Sequence, residues 1–185
     1  MRKTHLLFGI LLLTLASCSA IKDAITVPVT TNLQVDVPIT VASVKSANLN
    51  DKAGTVYSFT ATKVLQVADN VDMTSYINKI NSVDLRGVTV TIATLTGSDQ
   101  VLTLDLAVSG ITGPVFSIAN IGASLNNPFS PTISAAVQAQ LNLVEAKLVS
   151  DRALTITITG TTNNAPLTLT AKLAFDAKFT CAPLN

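Results

Sequence analysis

The stretch that decides the fold lies close to the C-terminus, at Leu167–Cys181, where the sequence reads LTLTAKLAFDAKFTC. Apolar residues alternate there with threonine, lysine and aspartate, a period of two that is typical of a half-buried β-strand. Because successive side chains of a strand point to opposite faces, one face is predicted to join a core and the other to meet solvent. The apolar phase comprises Leu167, Leu169, Ala171, Leu173, Phe175, Ala177, Phe179 and Cys181.

A second alternating run covers residues 25–41 and is rich in valine, which favours strands. Pro28 and Pro38 fall on its polar phase, and neither residue can donate a hydrogen bond to a ladder. The pattern predicts one long strand, or two with a kink, that lies at the edge of a sheet or carries bulges.

A third alternating run, residues 154–159, precedes the C-terminal strand. The segment that joins them, residues 160–166, contains glycine, proline and two asparagines, which are turn residues. We therefore expect these two strands to form a β-hairpin that closes the domain.

The middle of the chain predicts another strand that begins at Val83 and Leu85. Its apolar phase slips by one residue at Gly87, which indicates a β-bulge. A turn at residues 96–99 then leads to a strand over 102–108, so a second hairpin is expected. Weaker strands cover about 55–67 and 115–121.

One longer helix is predicted over about 131–149. Ser130 supplies a capping side chain, and Pro131 suits the first helical position. Residues 137–143 also alternate, so a strand remains an alternative for that part. The apolar residues that recur at helical spacing are Ile133, Val137, Leu141, Val144 and Leu148.

A short helix is predicted over about 73–80, with Asp72 as its capping residue. Together these elements predict a mainly β (α+β) fold. We expect residues 24–185 to form a single antiparallel domain, β-sandwich-like or a curved sheet, with both helices packed on it. A domain of this size buries about 70% of its surface and needs no disulfide.

The N-terminus has the plan of a secretory signal peptide. Arg2 and Lys3 precede an apolar run over residues 6–15, and a bilayer-spanning helix needs about twice that length. The run ends in Leu15-Ala16-Ser17-Cys18, which resembles the lipobox of bacterial lipoproteins. An ordinary secreted protein with a cysteine at its cleavage site is the alternative.

The resemblance to bacterial lipoproteins implies a processed and lipidated N-terminus. Residues 1–17 would be the signal peptide, and residues 18–23 a lipidated start with a short tether. The thiol of Cys18 would carry the diacylglyceryl group, palmitate being a suitable label, and would anchor the chain to a membrane. Ser19, in place of an inner-membrane retention signal, favours the outer membrane, so the resemblance implies a place in the bacterial cell envelope.

Composition excludes several classes of function. The 185 residues are 48% hydrophobic and only 12% charged, with a net charge of +1, so a strongly basic nucleic-acid binder is excluded. The one histidine, His5, lies in the predicted signal peptide, which removes the usual base of a catalytic triad and the usual metal ligand. No phosphate-binding glycine motif is present. We therefore predict no catalytic residue, no cofactor and no metal.

Two other features admit a functional interpretation. Asp69, Asn70 and Asp72 offer oxygen ligands to calcium, but the spacing matches no full calcium loop, and roles in a turn and a cap explain them more simply. Cys181 is the cysteine left over beside Cys18, and its register with the apolar phase predicts a buried, unreactive thiol.

Two functions remain for the domain. The first is a structural or protein-interaction role in the envelope, since exposed strand edges are templates for docking. The second is a carrier of a hydrophobic ligand such as a lipid, of the tubular lipid-binding type, if the amphipathic strands enclose an apolar cavity.

Overall fold

In the part of the chain that the structure describes, the alternating runs form seven strands in two antiparallel sheets, accompanied by one α-helix. The computed structural model describes residues 26–42, 56–124 and 127–184. A 3-10 turn at Val67–Asp69 follows the second strand. The elements are β1 (Val27–Val41), β2 (Tyr57–Gln66), β3 (Ile80–Ala93), β4 (Gln100–Val108), β5 (Phe116–Gly122), α1 (Ala135–Asp151), β6 (Ala153–Thr162) and β7 (Leu167–Cys181).

The first sheet has three strands in the order β1-β7-β3. Its centre is β7, whose whole length pairs with β1, from Val27 opposite Cys181 to Val41 opposite Leu167. The prediction for β1 is confirmed, because it is an outer strand of this sheet and both of its prolines are exposed. The two proline rings therefore leave the ladder to β7 intact.

The β-bulge predicted in β3 is confirmed. The register of β3 against β7 shifts between Leu85 and Gly87, so Arg86 is the additional residue. The shift moves the buried set from Val83 and Leu85 to Val88, which keeps apolar side chains on the inner face.

The second sheet has four strands in the order β2-β6-β4-β5. The inner face of β6 is apolar, and Leu154, Ile156 and Ile158 are fully buried. Threonines on its other face lie beside those of neighbouring strands, as shown by the hydroxyl contact of 3.2 Å between Thr62 and Thr157. The second sheet thus has one core face and one face rich in hydroxyls.

Both predicted hairpins are wrong. The strands β6 and β7 are consecutive in sequence but belong to different sheets, and the same holds for β3 and β4. The turn-rich segments between these strands, 163–166 and 94–99, therefore cross from one sheet to the other. Alternation fixes the buried face of a strand, but a strand that crosses between sheets shows the same alternation as a strand in a hairpin.

The long helix is confirmed, although it begins later than predicted. The cap is Ser134, whose hydroxyl accepts a hydrogen bond from the Val137 N–H at 3.3 Å. The expected cap, Ser130, instead contacts Thr89 of β3 through its hydroxyl at 3.1 Å. The helix starts late because the residues before it are used to cover β3.

The short helix predicted over 73–80 is wrong. Residues 71–78 form successive turns, in which hydrogen bonds from Met73, Tyr76 and Lys79 reach back three residues. Bonds at only every third residue do not build the continuous ladder of a helix. Asp72 does not cap a helix either, because its carboxylate accepts a hydrogen bond from Thr31.

One buried cluster contains side chains from both sheets and from α1. The helix packs against β3 and β6 and contributes Leu141, Val144 and Leu148, which are fully buried. Burial of one such side chain contributes about 1.5–3 kcal/mol, so the helix is held mainly by these three residues.

The outer edge of β3 is covered. Val90 exchanges two backbone hydrogen bonds with Phe129, each of 2.8 Å. The Asn127 side chain accepts from the Ile92 N–H at 2.9 Å and donates to the Ile92 carbonyl at 2.7 Å. Glu145 of α1 accepts from the Leu85 N–H at 2.8 Å. The backbone groups that β3 turns away from β7 are thus paired at these positions.

Candidate functional site

The outer edge of β1 differs from that of β3, because its backbone groups are largely unpaired by the described residues. In an antiparallel strand, residues of one parity face the partner and residues of the other parity face away. Pro28 and Pro38 cannot donate to β7, and the Asn32 carbonyl accepts from the Asn70 side chain at 3.1 Å. The even-numbered residues of β1 therefore direct their backbone groups to the open edge.

The strand β2 runs alongside this edge without pairing with it. Some Cα atoms of β1 and β2 lie within 8 Å of each other. Among the described residues, however, β1 forms a ladder with β7 and β2 forms one with β6, and no ladder joins β1 to β2. We call this unpaired boundary between the two strands the β1–β2 seam.

A loop is fixed across one end of the β1–β2 seam. Thr31 is 8% exposed and is a polar residue on the inner face of β1. Its hydroxyl donates to Asp72 Oδ2 at 2.7 Å and accepts from Asn70 Nδ2 at 3.0 Å. The Asn70 Oδ1 atom in turn accepts from the Asp72 N–H at 3.0 Å. These bonds hold the loop after β2 against β1.

An open cleft of about 320 Å3 lies in the β1–β2 seam beside this loop. Leu33 and Leu65 contribute its apolar lining, and both belong to the core. Asp69 and Val71 also line the cleft, and Val71 is 85% exposed. The remaining lining residues all carry carboxamides and are Asn32, Gln34, Gln66 and Asn70.

A second open cleft, of about 330 Å3, lies on the outer face of the three-stranded sheet beside the bulge. Arg86 and Asp176 line it and form an ion pair of 2.6 Å. Both side chains are more than two-fifths exposed, so the pair contributes little to stability. Since each charge already has its partner, we infer no separate binding site there.

Of the two carboxylates considered for calcium, that of Asp72 is used within the structure. Asp72 bonds to Thr31, and the amide of Asn70 bonds to Thr31, Asn32 and Asp72. Among the described residues, no group of three or more histidine, cysteine, aspartate or glutamate side chains is placed to hold a metal ion. The turn prediction for Asp69 is confirmed, because this residue ends the 3-10 turn Val67–Asp69, whereas the cap prediction for Asp72 is wrong.

The predicted burial of Cys181 is confirmed. It lies at the end of β7, opposite Val27 of β1 and Ile80 of β3, and its exposed fraction is 0%. Burial raises the pKa of the Cys181 thiol, because the thiolate would lose its hydration. A thiol in this position is a poor nucleophile.

The β1–β2 seam was not predicted from the sequence. Its signal was Thr31, which interrupts the apolar phase of β1 between Val29 and Leu33. A buried hydroxyl needs a partner, so this position pointed to a contact with another segment. The identity of that segment, residues 70–72, followed only from the tertiary structure.

The N-terminal predictions lie outside the described residues. These are the signal peptide over 1–17, the lipidation site Cys18 and the tether over 18–23. Within the part of the chain that is described, no helix has the length and apolar character needed to cross a membrane.

Comparisons with known proteins identify no family for this chain. No family model and no curated protein matches the sequence. One similar solved structure is a chain from Desmodium yellow mottle tymovirus, at 13% identity and a TM-score of 0.35, covering 85% of this chain and 91% of that chain. A likeness this weak carries no conclusion about function.

Proposed function

We propose that the protein is a membrane-anchored lipoprotein of the bacterial cell envelope, with a non-catalytic β-rich domain that binds protein partners. The observation that carries the binding role is the contrast between the covered edge of β3 and the open edge of β1. Strand edges with free backbone groups recruit extended segments of other chains. The domain would act from the outer membrane, held by the lipid on Cys18.

The way in which the two sheets pack against each other is also part of this proposal. The two sheets would stack in a sandwich-like manner, with the β1–β2 seam along one side and α1 covering the other. The single buried cluster shared by both sheets supports this arrangement. The packing of α1 against β3 and β6, which belong to different sheets, also supports it.

The anchor would keep the domain close to the membrane. Residues 19–26 separate Cys18 from β1, and eight extended residues span at most about 26–29 Å. Partners that reach the β1 edge would therefore be other components of the same envelope surface.

The carrier of a hydrophobic ligand remains an alternative, but no specific observation favours it. Both clefts described above are open to solvent and have polar residues in their lining. A lipid carrier needs an enclosed apolar cavity, and native mass spectrometry would detect a lipid that co-purifies in stoichiometric amount.

The anchor is tested by labelling cells with radioactive palmitate. Cys18→Ala should abolish labelling, because acylation needs the sulfur atom, and should leave uncleaved or soluble precursor. Cys181→Ala is the matched control, since it removes the other cysteine and should keep the label. Labelling of Cys18→Ala would overturn the proposed localisation.

A further inference from the structure

We propose that the cleft in the β1–β2 seam binds an extended peptide segment of a partner protein, one that is uncharged or basic and carries an apolar side chain. This inference rests on the proposed protein-binding role and names the site and the class of partner. The bound segment would pair with the edge of β1 at Gln34.

The backbone of β1 supplies the first part of the argument. Gln34 is an even-numbered residue of β1, so its N–H and C=O face the open edge rather than β7. On one side of Gln34 the Asn32 carbonyl is already bonded to Asn70, and on the other Pro38 has no donor. An extended segment would therefore find free backbone groups at Gln34, which lines the cleft.

The free carboxamides supply the second part. Asn32, Gln34 and Gln66 line the cleft, and none of their side chains bonds to another described residue. A carboxamide offers both a donor and an acceptor, which is the pair of groups that a peptide unit presents. Asn70 does not contribute in this way, because its amide is already used in the loop.

The shape and charge of the cleft select the class of ligand. Val71, which is 85% exposed, offers the accessible apolar surface, because Leu33 and Leu65 are almost fully buried, and the volume of about 320 Å3 is at the low end for a ligand site. Asp69 is the one charged residue among the described lining, so a phosphate or another anion would be repelled. No aromatic residue lines the described cleft, which removes the usual stacking surface for a sugar ring.

The experiment measures peptide binding by the full chain, purified in detergent from whichever cell fraction contains it, through shifts of its backbone amide signals. The probe is acetyl-Lys-Val-Thr-Val-Thr-amide, with acetyl-Glu-Val-Thr-Val-Thr-amide as the acidic counterpart. We expect saturable binding of the basic peptide, weaker binding of the acidic one, and shifts confined to residues 32–36 and 64–71. N-acetylglucosamine and inorganic phosphate should not bind.

The decisive variant is Gln34→Pro, which removes the N–H that the added segment needs. It should weaken binding at least tenfold, while the matched Thr40→Pro on the same edge, outside the cleft, should stay within twofold of the unaltered protein. β1 already carries two prolines with this parity, so both variants should fold. If the amide spectrum shows that Gln34→Pro is misfolded, Gln66→Ala replaces it, with an expected loss of about threefold.

Three results would overturn the proposal: no saturable binding, equal binding by Gln34→Pro and Thr40→Pro, or preference for the sugar or the anion. The proposal would also be overturned if the backbone amides of the cleft were protected from hydrogen exchange before peptide is added, because the chain itself would then fill the site. None of these outcomes depends on Cys18. Palmitate labelling can therefore succeed while this site fails, and the reverse result is equally distinguishable.

Discussion

The two outer strands of the three-stranded sheet, β1 and β3, both pair with β7, but their outer edges differ. The edge of β3 is paired with Phe129, Asn127 and Glu145, all from the segment that leads into or forms α1. The edge of β1 has two prolines and one bond to Asn70. The first edge is closed by hydrogen bonds, and the second is only protected against uncontrolled pairing. This difference is why we place function on β1.

The largest expected effect comes from the strand that both edges depend on. Cys181→Asp places a carboxylate in a fully buried position, opposite both outer strands. The uncompensated charge should lower the free energy of unfolding by about 3–5 kcal/mol. Urea denaturation of the variant and of Cys181→Ala measures the effect, and a loss below about 1 kcal/mol would mean that β7 ends differently.

The burial of the Cys181 thiol can also be tested through the pH dependence of the free energy of unfolding. Because burial raises the folded pKa, the thiol of the unfolded chain ionises first, near a pH of about 8.5. The contribution of Cys181 is therefore present below that pH and is lost as the pH rises further. Cys181→Ala should lack this loss, and native Cys181 should react with a water-soluble thiol reagent only after denaturation.

Removal of the cover from the β3 edge should have the next largest effect. Asn127→Ala deletes two hydrogen bonds to Ile92 and leaves the N–H and C=O of Ile92 without these partners. The expected loss is about 2–4 kcal/mol in the free energy of unfolding. Amide hydrogen exchange should show faster exchange at Ile92 than at Leu85, whose N–H remains bonded to Glu145. Equal exchange at both positions would contradict the assigned role of Asn127.

The matching change on the β1 edge should cost less. Asn70→Ala removes the bonds to Thr31, Asn32 and Asp72, but those to Asn32 and Asp72 are exposed, so that water can replace the amide there, and the Thr31 hydroxyl keeps its bond to Asp72. We expect a loss of about 1 kcal/mol. Thermal or urea denaturation beside Asn127→Ala gives the comparison directly. A larger loss for Asn70→Ala than for Asn127→Ala would reverse our ranking of the two edges.

The smallest effect is expected at the open part of the β1 edge. Gln34→Pro removes an N–H that no described residue accepts, so the free energy of unfolding should change by only about 0.5 kcal/mol. The measurement is the same urea denaturation. A loss above about 2 kcal/mol would show that Gln34 takes part in a ladder, and the β1 edge would then be closed like that of β3.

The sequence predicted the faces of the strands better than their neighbours. Alternation placed Leu33, Phe175 and Cys181 in the core, and the phase slip at Gly87 located the bulge. The prolines of β1 indicated an edge strand or bulges, and β1 is an outer strand. These features depend on the period of a single strand, which local sequence records directly. The predicted hairpins failed because pairing depends on contacts between residues that lie far apart in the chain.

The candidate site lay almost wholly beyond sequence reasoning. Asn32, Gln34 and Gln66 are ordinary polar residues in their own strands, and nothing local indicates that they meet. The start of α1 was misplaced for the same reason, because Ser130 and its neighbours serve as the cover of β3. Only the positions of the strands in space decide which polar residues share a cleft.

The sequence by itself determined the mainly β character, the buried phases and the burial of Cys181, since each follows from residue type and period. The assignment of consecutive strands to different sheets, the cover on β3 and the β1–β2 seam were decided only by the tertiary structure. The physical reason is that burial is satisfied by any apolar neighbour, so an alternating strand fixes its orientation but not its partner.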